Sequence, residues 1–313
     1  MKKISEAGIA LMITAIVSCV PAESSYEQGF IEVEPDVKVF YQKTGTGNKA
    51  VIVPAGFWLY DDFKHLAKDK TLIFFDMRGR GNSDFVKDTT LISIHKDVED
   101  IEKIRQHFNL DKVSLVGWSY LGKAVMMYAK KYPSHIDRVV QIGPVPVKWN
   151  TSYPDSLKYL VPAQGTAALW NKFDSLESTG AHKNDPVMFS YVWWEASKPN
   201  LLGNPDNMKK LGRQWGDHLK YSNELYINFM YRQMKYHFGS VMEMTDTIED
   251  YADVSCPVLT IHGTKDRNAP WGAGLEWASN LPDARLLKIE GAGHLPWIEE
   301  PDLVYRAMKD FLK

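Results

Sequence analysis

Short apolar runs separated by longer helix-periodic stretches set the pattern of this chain. Ala50–Val53, Leu72–Phe75, Val113–Val116, Val139–Ile142, Val258–Ile261 and Leu286–Ile289 are mostly apolar on successive residues. Such runs, hydrophobic on both faces, suit strands buried inside a parallel sheet. Between the second and third of them, Ile94, Val98, Ile101, Ile104 and Phe108 fall at helical spacing, with Asp, Glu, Lys and His on the opposite face. Strand, helix, strand in repeated succession predicts an α/β fold, a mostly parallel central sheet with helices on both faces. Upstream, Val37–Gln42 alternates apolar and polar residues and runs into Gly45-Thr46-Gly47-Asn48, a pattern that predicts a hairpin.

From residue 144 to residue 250 the rhythm changes. Prolines and glycines cluster in Pro144-Val145-Pro146 and Gly203-Asn204-Pro205, and longer helical stretches carry Trp170, Trp193, Trp194, Trp215 and Tyr221. No run there reads as a central strand. The segment is expected to be a helical cap inserted between two parts of the sheet domain, residues 30–143 and 251–313.

The first 22 residues read as an export signal. Lys2 and Lys3 precede an uncharged apolar run, Ile9–Val17, that is too short to cross a bilayer. Ile16-Val17-Ser18-Cys19 resembles a bacterial lipoprotein cleavage box, which implies lipidation of Cys19 and membrane anchoring. Ordinary cleavage after Ala22 is the alternative and gives a periplasmic or secreted protein.

Composition narrows the function classes. The 313 residues carry a net charge of −2, and so balanced a surface argues against nucleic acid as the main partner. Ten Trp and fifteen Tyr point to a large apolar pocket or a well-filled core. The second cysteine, Cys256, lies between Ser255 and Pro257 at a strand entrance and is expected to be buried filler without a disulfide. No H-E-x-x-H and no close Cys/His cluster occurs, so neither a metal nor another cofactor is expected.

Three segments carry the chemistry. In Val113-Ser114-Leu115-Val116-Gly117-Trp118-Ser119-Tyr120-Leu121-Gly122 a buried strand turns sharply into a helix with Ser119 at the corner. Such a corner exposes the hydroxyl at the carboxyl end of a sheet, and it needs a small neighbour such as Gly117. Val258–Ile261 leads through His262-Gly263-Thr264-Lys265 to Asp266, and Gly291-Ala292-Gly293-His294 follows the last apolar run. Ser, then Asp, then His, each after a strand, is the order of an α/β-hydrolase triad. Asp76-Met77-Arg78-Gly79-Arg80-Gly81-Asn82-Ser83 also matches the D-x-R-G-x-G-x-S stretch of capped members. On these residues the chain, over roughly residues 30–313, resembles the α/β-hydrolase superfamily.

That resemblance implies Ser119 as nucleophile, His294 as base and Asp266 as acid. It implies an oxyanion hole from the Phe57 and Tyr120 backbone N–H groups, with Ala55 standing where relatives carry His. It assigns the D-x-R-G loop to scaffolding. With Ser at the corner, the carboxylate-nucleophile chemistry of dehalogenases and epoxide hydrolases is disfavoured. Within the superfamily the chain looks most like the proline-iminopeptidase-like branch, because Trp193-Trp194-Glu195 is similar to a Trp-Glu motif that holds a substrate's free amine. Trp58, Trp194 and Glu195 are therefore the expected substrate contacts. The alternative for Trp194 and Glu195 is a core residue and a solvated one. The H-G-G-P-G loop of that branch is absent, and Leu121 stands where G-x-S-x-G has its second glycine. The expected reaction is hydrolysis of a small ester, amide or short peptide through an acyl-enzyme. A carboxylesterase is the close alternative, and a non-catalytic ligand-binding module on the same fold is the alternative of another class.

Overall fold

The computed structural model of the chain describes residues 26–215 and 235–313. Eight strands form one sheet: β1 Tyr26–Glu34, β2 Val37–Thr44, β3 Ala50–Pro54, β4 Thr71–Phe75, β5 Val113–Trp118, β6 Ile136–Ile142, β7 Val258–Gly263 and β8 Ala284–Ile289. Their spatial order is β1-β2-β4-β3-β5-β6-β7-β8. β1 and β2 pair antiparallel, as do β2 and β4, and all remaining neighbours are parallel. This is the α/β-hydrolase arrangement that the resemblance implied. Residues of β3, β4, β5 and β7 are almost wholly buried, which is why these strands read as unbroken apolar runs.

The amino-terminal part corrects one expectation. β2 makes its hairpin with β1, through a tight turn at Asp36 (φ 64°), and not with β3. β3 instead lies parallel to β4 and β5. Two-residue turns need positive φ, which Asp tolerates better than most residues.

Helix α1, Gly56–Phe63, follows β3; α2, Ile94–His107, precedes β5; and α3, Tyr120–Lys131, leaves β5 directly. Ser93 caps α2, its hydroxyl accepting from Lys96 N–H at 3.3 Å. The chain goes from β3 to β4 on one side and continues from β5 on the other. The order therefore reverses between β3 and β5, and the crevice at such a switch point is where α/β sheets bind ligands. The loops that begin at Ala55 and Ser119 open there.

Between β6 and β7 the described residues form helices and turns and no strand. Helix α4, Ala167–Ser178, packs on α5, Pro186–Ser197, with Phe173 stacked on Phe189 at 4.4 Å. The half-buried carboxylate of Asp62 in α1 ties this insert to the sheet domain. It accepts from Gln214 Nε2 (2.7 Å) and Trp215 Nε1 (3.1 Å) of the insert, and from Trp297 Nε1 (2.8 Å) near the carboxyl terminus. Burial pushes the pKa of Asp62 up, against the pull of these three donors. Cys256 is buried, and burial pushes its thiol up to about 11. Cys19 and the expected signal segment lie outside the described residues.

Candidate active site

Ser119 sits at the corner between β5 and α3 with φ 59° and ψ −129°, a conformation that costs energy for any residue with a Cβ. The turn is fixed on both sides: Ser119 N–H donates to Ile142 O (2.9 Å), and Gly122 N–H donates to Ser119 O (2.9 Å). Gly117 is required because a Cβ there would lie 2.3 Å from Leu121 O. Gly122 lets α3 approach Pro144, which a Cβ would meet at 3.0 Å. The second glycine of the usual motif is dispensable here, since Leu121 turns to the cavity wall.

The loops after β7 and β8 bring the other two residues together. His294 Nδ1 lies 2.6 Å from Asp266 Oδ2. A carboxylate only accepts, so the imidazole proton is on Nδ1 and Nε2 presents a lone pair. Asp266 is itself held: Oδ1 accepts from Asn268 N–H (2.8 Å) and Ala269 N–H (2.9 Å), and His262 Nε2 lies 3.3 Å from Oδ2. Burial would raise the pKa of Asp266, but the His294 and His262 interactions outweigh it and hold the carboxyl well below its usual range. His294 is positioned further by Trp118, whose Nε1–H donates to His294 O at 3.0 Å. Glu299 fixes the loop from behind by accepting from Gly293 N–H, and from Gly203 and Asn204 N–H of the insert. Gly143 lies against the pair: a Cβ there would sit 3.0 Å from His294 Nδ1 and 3.1 Å from Asp266 Oδ2.

Ser119 and His294 line one cavity of about 300 Å³. Seven tryptophans contribute to its wall: Trp58, Trp118, Trp149 and Trp215, with Trp170, Trp193 and Trp194 from the α4–α5 region. Trp58 stacks on Trp215 at 4.5 Å and meets Trp194 at 5.3 Å. Seven of the ten tryptophans are therefore spent on a pocket. Trp58 and Trp194, the expected substrate contacts, both line this cavity, and both are also buried in the core cluster.

Two expectations need correction. Phe57 N–H is not available to an oxyanion, because it donates to the buried Asp76 Oδ1 at 2.7 Å. Asp76 also accepts from Asn82 N–H (2.8 Å), and burial raises its pKa to about 6 against these contacts. In the same loop Pro54 has no N–H and Ala55 N–H points to Met77 Sδ (3.1 Å). Tyr120 N–H, the first of α3 and next to Ser119, is the donor that a helix does not use itself. Ala55 reaches the left-handed region, φ 65°, to turn the chain into α1.

The second correction concerns Glu195. It does not line the cavity among the described residues; it pairs with Lys198 at 3.0 Å. Trp193, Trp194 and Ser197 occupy the cavity side of α5, and one residue of helix turns the next side chain by about 100°. Arg80 was missed altogether. The sequence assigned its loop to scaffolding, and Asp76, Arg78 and Ser83 do act so, but Arg80 reaches the cavity wall.

Comparison with known proteins agrees with this geometry. A family model described as alpha/beta hydrolase fold matches residues 53–301. The chain is 26% identical to a proline iminopeptidase of Heyndrickxia coagulans, covering 92% of this chain and 99% of that one. It is 23% identical to epoxide hydrolase 1 of Caenorhabditis elegans, over 88% of this chain and 68% of the other. Among solved structures, an esterase from Exiguobacterium antarcticum superposes with a TM-score of 0.66 at 18% identity, covering 90% of this chain and 98% of that one.

Proposed function

Since the chain belongs to the alpha/beta hydrolase fold family, we propose that it is a serine hydrolase of carboxylic esters, with Ser119 as nucleophile, His294 as base and Asp266 as the acid that orients it. The observation that carries this reading is the 2.6 Å contact of His294 Nδ1 with Asp266 in the cavity that strained Ser119 also lines.

His294 Nε2 takes the proton of Ser119 Oγ as the oxygen attacks the scissile carbonyl. Asp266, ionised across the neutral range, stabilises the imidazolium that forms. The tetrahedral oxyanion is met by the Tyr120 N–H group, and such a donor is worth about 3 kcal/mol in the transition state. The imidazolium then returns its proton to the leaving oxygen, leaving an acyl-enzyme on Ser119. Water activated by the same His294 hydrolyses it. Serine in the nucleophile position disfavours chemistry that proceeds through a carboxylate nucleophile.

A second reading, an aminopeptidase, is favoured by the likeness to a proline iminopeptidase. Recognition of a substrate ammonium calls for a carboxylate in the cavity, and among the described lining residues none is present. The two readings separate in one assay of purified protein against p-nitrophenyl esters and aminoacyl-naphthylamides in parallel. Ester turnover exceeding aminoacyl turnover is expected; the reverse order would establish the aminopeptidase instead.

A further inference from the structure

The cavity at Ser119 does not end the space open to a substrate. An open groove of about 630 Å³ lies beside it, and Trp170 and Asn200 line both. The loop that carries Asp266 runs along the same border: Asn268 lines the cavity and Arg267 lines the groove. Asn268 Nδ2 donates to Asn200 O at 3.0 Å. Arg267 Nε donates to Val161 O at 2.8 Å, and its Nη1 donates to Leu202 O at 2.6 Å. The groove is therefore fastened to the residue next to the acid of the triad, and a chain that leaves the cavity past Trp170 enters it.

The groove differs chemically from a polar subsite. Leu160, Val161, Pro162, Ala163 and Ala167 supply its apolar wall. Leu160 and Val161 are 66% and 54% exposed, the two highest values among the large hydrophobic side chains of the described residues. Apolar surface left in water beside a catalytic cavity is surface that a ligand can cover. Among the described residues no carboxylate lines the groove, so it offers no counter-charge to an ammonium. Arg267, the one Lys or Arg there, is committed to two carbonyls and to the face of Tyr159, whose ring centroid lies 4.7 Å from the guanidinium. Thr166 turns its hydroxyl to Ala163 O at 2.9 Å. What remains to recognise a ligand is mostly hydrocarbon. The volumes point the same way. A cavity of about 300 Å³ stands at the lower end of the range of ligand pockets, about 300–1,000 Å³. A substrate confined to it would leave the larger space empty.

We propose that the groove is a chain-binding subsite. The substrate is an ester with a hydrocarbon chain too long for the Ser119 cavity, and the end of that chain passes Trp170 to lie along residues 160–163. The proposal rests on the ester-hydrolase reading and names its substrate class. Binding so remote a part of the substrate helps to hold the scissile carbonyl in register with Ser119. A methylene fully taken out of water is worth about a fourfold gain, and in an open groove, at half that free energy, about twofold.

Two ester series separate the acyl side from the alcohol side: p-nitrophenyl esters from butyrate to decanoate, and n-alkyl acetates from butyl to decyl. In at least one series, wild-type kcat/KM is expected to rise by about tenfold or more from the shortest member to the longest. Leu160→Asp combined with Val161→Asp should lower that ratio several-fold. Ala167→Trp, which fills the groove without adding charge, should lower it too. Leu303→Asp is the control: this exposed leucine of the carboxyl-terminal helix, Pro301–Phe311, lines neither space, and the ratio should stay. Using a ratio cancels general damage to the fold or to Ser119. A flat response in both series, or an undiminished ratio in both groove variants, would overturn the proposal. A dimer that Leu160→Asp disperses, with no gain from chain length, would give the groove to a second copy of the chain and overturn it as well. Fluorophosphonates bearing an ethyl or a decyl chain supply a readout without ester turnover. The decyl probe should label wild-type Ser119 about tenfold faster, and the groove variants should lose that preference. Equal labelling rates would count against the groove. Preferential decyl labelling without turnover of any ester would sustain the groove and overturn the ester reading alone.

Discussion

Replacing Gly143 by alanine perturbs the catalytic pair without touching it chemically. The residue follows β6 at φ +52°, donates its N–H to Ile261 O at 2.8 Å, and is therefore not free to swing away. An L-residue in the left-handed region costs about 1–2 kcal/mol. The new methyl would also stand 3.0 Å from His294 Nδ1 and 3.1 Å from Asp266 Oδ2. Ordinary van der Waals contact begins near 3.5 Å, so the pair must retreat by roughly half an ångström. A displacement of 1 Å can cost about a hundredfold in rate; half of that predicts about a tenfold loss in kcat/KM. Gly180→Ala is the matched control. It has φ +74° and nothing within 4 Å of an added Cβ, so it carries the backbone strain alone. Both variants should lose similar stability in urea unfolding, while the hydrolysis of p-nitrophenyl acetate should fall only in Gly143→Ala. Full activity in Gly143→Ala, or equal losses in both, would refute the placement of the Asp266–His294 pair.

Asp62→Leu should destabilise the protein by about 3 kcal/mol, since Gln214, Trp215 and Trp297 would each be left with a buried donor. Thermal unfolding checks this, with Asp62→Asn expected to lose less. Cys256 should resist iodoacetamide at pH 8: raising its pKa from 9.0 to about 11 lowers the thiolate fraction about a hundredfold, and reaction at the rate of a free thiol would contradict that burial. Glu195→Gln should change kcat/KM for aminoacyl and neutral ester substrates by the same factor, because Glu195 pairs with Lys198 away from the cavity. A selective loss on aminoacyl substrates would restore Glu195 to the site.

The strands that position the triad were legible because parallel strands buried on both faces leave an apolar run with few rivals. β1 was not, since Tyr26 and Phe30 face outward among glutamates and glutamine while Ile31 and Val33 face the core. The Pro35-Asp36 pair, a turn signal, could have revealed its hairpin. The triad was legible as an order of residues after strands. The loss of Phe57 as an oxyanion donor was not, because Asp76 lies nineteen positions from Phe57 and claims its N–H across the fold. The pairing of Glu195 with Lys198 was open to a sequence reading, since residues three apart on a helix are neighbours. The place of Arg80 was not, because nothing in the sequence tells which of two arginines two positions apart in one glycine-rich loop reaches the cavity wall.

The central claim is that Ser119, activated by His294 and Asp266, is the nucleophile. Fluorophosphonate labelling followed by peptide mass spectrometry tests it most directly. The account predicts one adduct, on the peptide that contains Ser119, and its loss in Ser119→Ala together with a fall in ester turnover of about a thousandfold or more. An adduct on another serine, or turnover undiminished in Ser119→Ala, would contradict it.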